Sequence, residues 1–262
     1  MPMSARRRLA LLALLVPSSS ALRTAPALLR QPPPPVPPPP TPLPPIFQPR
    51  AIAGLAVFGA TAGPLVDAVH NQVLLTYDVL PVTLEALNAK TSLLIPPLLA
   101  LTYALLGSVL PAITERVVGR GQAVVPAAAT LSPRMRAALA VASTILLIKA
   151  SELLTLSSIP AAAGLGLLLA GCVLQWASLD GAVSSLVLAS VVAIGGPLAE
   201  LPFIELGCWH YLAPTYFPLR PWTGDALGLS PLTGPCYFAV TTDAIALGRW
   251  LASGVEPADG YS

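Results

Sequence analysis

The chain has 262 residues, 55% of them apolar and only 10% charged, and its mean hydropathy is +0.74. A soluble domain carries about 25% charged residues, so an all-aqueous surface is excluded and a bilayer is the natural solvent. The net charge of +2 says little by itself; where the charges fall says more. Cys172, Cys208 and Cys236 are scattered and odd in number, which makes neither a disulfide framework nor a CxxC metal site. They read as ordinary helix-packing residues. Two histidines, His70 and His210, leave little room for zinc, and no cofactor or metal site is expected. Basic patches with interleaved aromatics are absent, so nucleic acid is not an expected partner.

The first segment, 1–30, reads as a targeting signal. Arg6, Arg7 and Arg8 precede an apolar run over 9–16, and Ser19 and Ala21 form a small-x-small cleavage site. That run is too short to span a bilayer. Arg23, Arg30 and Arg50 follow, and no acid occurs before Asp67. A basic, acid-free stretch behind a signal resembles the two-part plastid targeting of algae with complex plastids; a plain signal peptide and an uncleaved basic tail remain the alternatives. Residues 31–50 form a proline-rich linker, with prolines at 32–35 and 37–40, which favours a stiff polyproline II spacer over an SH3-type ligand.

From residue 51 to 252 apolar stretches alternate with short connections, which predicts an all-α polytopic bundle of six transmembrane helices, followed by a tail over 253–262. The predicted helices cover 51–66 (with an extension to His70 left open), 91–113, 135–156, 161–178, 181–198 and 235–251. Pro96 and Pro97 stand near the start of the second, Pro160 ends the third, and Pro197 and Pro202 mark the end of the fifth.

Charge sets the expected orientation. Arg116, Arg120, Arg134 and Arg136 against Glu115 cluster between helices two and three. Connection one has Asp67, Asp78 and Glu85 against Lys90, and connection five has Glu200, Glu205 and Asp225 against Arg220. The positive-inside rule then puts both termini on the cytosolic side or its equivalent. A cleaved signal would leave the new amino terminus in the lumen, a conflict that a second import step into a plastid removes.

Five residues are candidate polar groups at membrane depth. Lys149 and Glu152, three residues apart in helix three, can pair on one face; they read either as a ligand or ion contact or as a self-neutralising pair. Asp67 and His70 share a face where helix one ends, as an acid–base pair or a polar cap, with no companion nucleophile or metal-ligand set. Asp243 lies within helix six, six residues before Arg249, too far for pairing along the helix, so it should border a polar cavity or meet another helix. Gly164, Gly166, Gly171, Gly195 and Gly196 allow close helix approach.

The order of these features resembles the insulin-induced gene (INSIG) family of six-helix membrane proteins. Asp67-x-x-His70 is similar to that family's helix-one ending. Pro96-Pro97, Gly107, Pro111 and Glu115-Arg116 follow its Pro-Pro…Gly…Pro…Asp-Arg stretch, and Trp176-Ala-Ser-Leu-Asp180 its Trp-x-Thr-Phe-Asp. Tyr211, Pro214, Tyr216, Phe217, Trp222, Pro235-Cys236-Tyr237-Phe238 and Gly248-Arg249 resemble its carboxy-terminal motif. The insertion over 223–234, Lys149 in place of a histidine, and Asp243 in place of a glycine-rich string are departures. The resemblance covers about residues 51–252.

The resemblance implies a non-enzymatic regulator. It would bind a sterol or isoprenoid-like lipid within the bundle and retain or regulate other polytopic membrane proteins, in the endoplasmic reticulum membrane or alternatively a plastid membrane. It also implies a partner-binding role for Asp180, which by position alone reads as a solvated residue capping helix five. The alternative function is a small transporter or channel with a polar path through Lys149, Glu152 and Asp243.

Overall fold

Prolines and glycines set most of the helix boundaries. In the computed structural model, which describes residues 45–69, 73–87 and 89–254 within a unit spanning 42–262, Pro49 occupies the first turn of α1 (Pro49–Thr61). There its missing N–H has no intrahelical partner to lose, so the helix starts two residues inside the expected linker. The signal, most of the linker, His70 and most of the tail lie outside the described residues. A short α2 (Gly63–Asp67) follows a break at Ala62.

The second apolar stretch begins later than expected. Residues 89–92 form a strand, and the helix starts at Ile95, with the two prolines in its first turn. It runs as α3 (Ile95–Ala104), a π-helical turn over Leu105–Val109, and α4 (Leu110–Val118), ending where Gly119 adopts φ +75°. The Ser132 hydroxyl accepts from the Met135 N–H and caps α5 (Pro133–Leu156). Next come α6 (Ala161–Leu179), α7 (Val183–Glu205), a short α8 (Arg220–Thr223) and α9 (Thr233–Ser253).

The expected end of helix five at 198 is overturned, because α7 continues through Pro197 and Pro202 to Glu205. Proline deprives the carbonyl four residues earlier of its donor. For Pro197 that carbonyl belongs to Ala193, and Gly234 of α9 lies so close to it that a Cβ there would sit 2.7 Å from the oxygen. Neighbouring helices and local adjustment make prolines tolerable inside membrane helices.

Among the described residues, four helices are long and apolar enough to cross a membrane: Ile95–Val118, Pro133–Leu156, Ala161–Leu179 and Val183–Glu205. Their outer faces carry exposed Leu101, Leu146, Leu174 and Ile194, apolar surface suited to lipid. By contrast α9 packs against α1, α5, α6 and α7. Ala239, Thr241, Asp243 and Ala244 on it are fully buried. Because protein rather than lipid surrounds α9, it tolerates threonines and an acid that lower its apolarity. Its closest approach is to the π turn, where a Cβ on Gly248 would collide with the Gly107 carbonyl.

Connections between the helices carry short antiparallel ladders that the all-α reading does not contain. β1 (Leu75–Tyr77) pairs with β4 (Trp209–Tyr211), with Leu75 opposite Tyr211 and Tyr77 opposite Trp209. β2 (Pro81–Leu84) pairs with β3 (Ala89–Ser92) in a hairpin. The β1–β4 ladder joins the first connection to the fifth, gathering the acidic loops at one end of the bundle. At the arginine-rich end, Gln122 bridges to Ala182, tying the 119–132 connection to the turn between α6 and α7.

Candidate functional site

A cavity of about 430 Å³ opens within the ladder half of the bundle. Its walls are apolar: Leu98 and Leu99 of α3, Leu105 and Leu106 of the π turn, Val191 and Val192 of α7, and Val240 of α9. The π turn inserts extra backbone into the helix, and such bulges recur at functional sites. Here it presents Leu105 and Leu106 to the cavity and Gly107 to α9. While α4 packs on α7, α3 makes little contact with it, so the two helices part towards the ladder end. Leu105 of the π turn and Val191 of α7 line the cavity and are exposed, so the cavity is open on the side where α3 and α7 part.

The cavity ends in a polar cluster below the β1–β4 ladder. Tyr77 of β1 donates to Asp67 at the end of α2, 2.7 Å away. Tyr211 of β4 and Tyr237 of α9 donate to the two oxygens of Glu200 at 2.8 and 2.9 Å. The hydroxyls of Tyr211 and Thr233 are 3.1 Å apart. Burial, reinforced by Asp67, pushes the Tyr77 phenol well above its ordinary range, and burial followed by Glu200 does the same for Tyr211. Both stay protonated donors at physiological pH. The cavity therefore has an apolar body and one hydrogen-bonding end, in the size range of about 300–1,000 Å³ typical of small-molecule sites.

Of the sequence candidates, only Asp67 belongs to this cluster, and His70 lies outside the described residues. Lys149 and Glu152 form a 2.7 Å pair in which the lysine is exposed and the glutamate buried, and neither lines the cavity. Asp243 does meet another helix: it is fully buried, with the Tyr103 hydroxyl of α3 3.4 Å from one oxygen. Lys149, Glu152 and Asp243 line neither this cavity nor the second one described below.

The expectation of a solvated Asp180 is overturned. Asp180 is buried, ion-paired with Arg249 of α9 and hydrogen-bonded by the Ser185 hydroxyl of α7. Arg249 also reaches Glu115 of α4 at 3.2 Å. One guanidinium thus clasps α4, the α6–α7 turn and α9 at the arginine-rich end, beside a second cavity of about 420 Å³ that also touches Arg120 and Arg136. Arg249 is the partner Asp180 lacked in a local reading, because the two are far apart in sequence.

Glu200, one of the charges that the sequence assigns to the fifth connection, lies inside α7 and lines the cavity. Its signal was helical spacing: Val192, Gly196, Ala199, Glu200 and Phe203 fall on one face once α7 is continued through the prolines. No protein-family model, curated protein or solved structure matches this chain.

Proposed function

We propose that this chain is a multi-pass membrane regulator without catalytic activity. It resembles the INSIG family in holding a sterol-like or isoprenoid lipid inside its bundle and in acting on other polytopic membrane proteins. The observation that carries this reading is the laterally open apolar cavity with a single hydrogen-bonding end. A lipid entering between α3 and α7 would lay its apolar body against Leu105, Leu106 and Val191 and present its polar group to Glu200 and its tyrosines. In this reading α1–α2 and α9 complete six spans, and both termini share the arginine-rich side, facing the cytosol of an endoplasmic reticulum membrane or the equivalent side of a plastid membrane. The partner role that the resemblance gives to Asp180 would act through the Arg249 clasp, since the carboxylate is buried.

Photo-crosslinking of reconstituted protein with sterol and isoprenoid probes tests the proposal. Labelling well above that of an unrelated six-span protein, and competed by unlabelled lipid, is the expected result. Labelling equal to the control would overturn it.

A further inference from the structure

The polar end of the lipid cavity has a sign. Asp67 and Glu200 both line it. No lysine, arginine or histidine occurs among its described lining residues. Lys149, on the neighbouring α5, is already held by Glu152. Three phenols donate to these carboxylates. Each carboxylate oxygen can accept two bonds, so Glu200 keeps acceptor capacity towards the cavity.

Aromatic rings surround the same end. Trp209 stacks on Phe203 with centroids 5.0 Å apart and meets Tyr77 edge-on at 6.3 Å. A negative group in an apolar cavity is costly unless a countercharge or proton meets it. Aromatic faces attract cations. A carboxylate-bearing or phosphate-bearing lipid would bring like charge onto Glu200, whereas an ammonium group would satisfy both that carboxylate and the rings.

We infer that the cavity selects amphiphiles by head charge, with a protonated amine head preferred, a hydroxyl head tolerated and an anionic head rejected. The head would lie among Glu200, Tyr211 and Tyr237, and the tail would run along the π turn towards Leu110. This inference rests on the reading of the cavity as a lipid site.

The test uses the full chain in zwitterionic nanodiscs carrying a neutral photoreactive sterol probe. A long-chain amine, alcohol and carboxylate of one tail length compete for labelling at neutral pH. The amine should displace the probe at roughly tenfold lower concentration than the carboxylate, with the alcohol between them. Glu200→Gln should narrow that ratio to about threefold or less. Equal competition by amine and carboxylate against wild type would overturn the charge selection and leave the lipid site standing. Absence of probe labelling would overturn the lipid reading itself. The wild-type ratio decides the inference even where Glu200→Gln does not fold.

Discussion

At the scale of single residues, Asp180 and Arg249 show what a local reading can and cannot see. Lys149 and Glu152 were legible as a pair because one helical turn joins them. Asp180 and Arg249 approach only once α6 and α9 have packed, and no spacing rule reports that. Removing one member of a buried pair leaves the other charge uncompensated, at a cost of about 3–5 kcal/mol. The Arg249 side chain is 33% exposed and retains Glu115, so water and the second acid recover part of that loss. Asp180→Ala should therefore destabilise the protein by about 2–3 kcal/mol, near or below the low end for buried pairs. Thermal unfolding in detergent would read it. Asp180→Asn should lower the melting temperature in the same direction, because the amide cannot replace the ion pair. Partner loss in co-purification with an unshifted melting temperature would instead mark Asp180 as a direct contact.

At the scale of elements, small residues decide how closely helices meet, and the sequence did not say which ones. Gly248 abuts the Gly107 carbonyl across the α9–π turn contact, so a methyl there meets backbone that cannot swing aside. Gly248→Ala should cost about 1–3 kcal/mol, as overpacking does. Gly166 has open space where its Cβ would stand, and Gly166→Ala should be neutral or stabilise α6 by up to about 1 kcal/mol through helix propensity. Melting temperatures of the two variants, compared side by side, check both; equal shifts would mean the α9 contact is looser than described. The apolar runs made the long helices readable, with boundaries good to a few residues. The ladders escaped because strands of three or four residues leave almost no periodic signal, and the continuation of α7 escaped because its prolines read as stops. With α7 ending at its prolines Glu200 falls in a loop, whereas Asp67 stands at a helix end in either reading.

At the scale of the whole molecule, charge and cavity point along one axis. The ladder end gathers the acidic connections and the polar end of the cavity, and the opposite end gathers Arg116, Arg120, Arg134, Arg136 and Arg249. The proposed six spans and this bias predict that tags on both termini respond alike to protease in sealed membranes. Opposite accessibility would contradict the six-span reading.

The central claim is that a lipid occupies the cavity between α3 and α7, and a cavity-filling substitution tests it most directly. Gly195 lines that cavity with open space at its Cβ position, and Gly166 offers similar open space away from the cavity. Gly195→Phe should abolish competable labelling by a sterol-like probe while Gly166→Phe labels as wild type does, with both variants melting near the wild-type temperature. Undiminished, competable labelling of a folded Gly195→Phe protein would contradict the account.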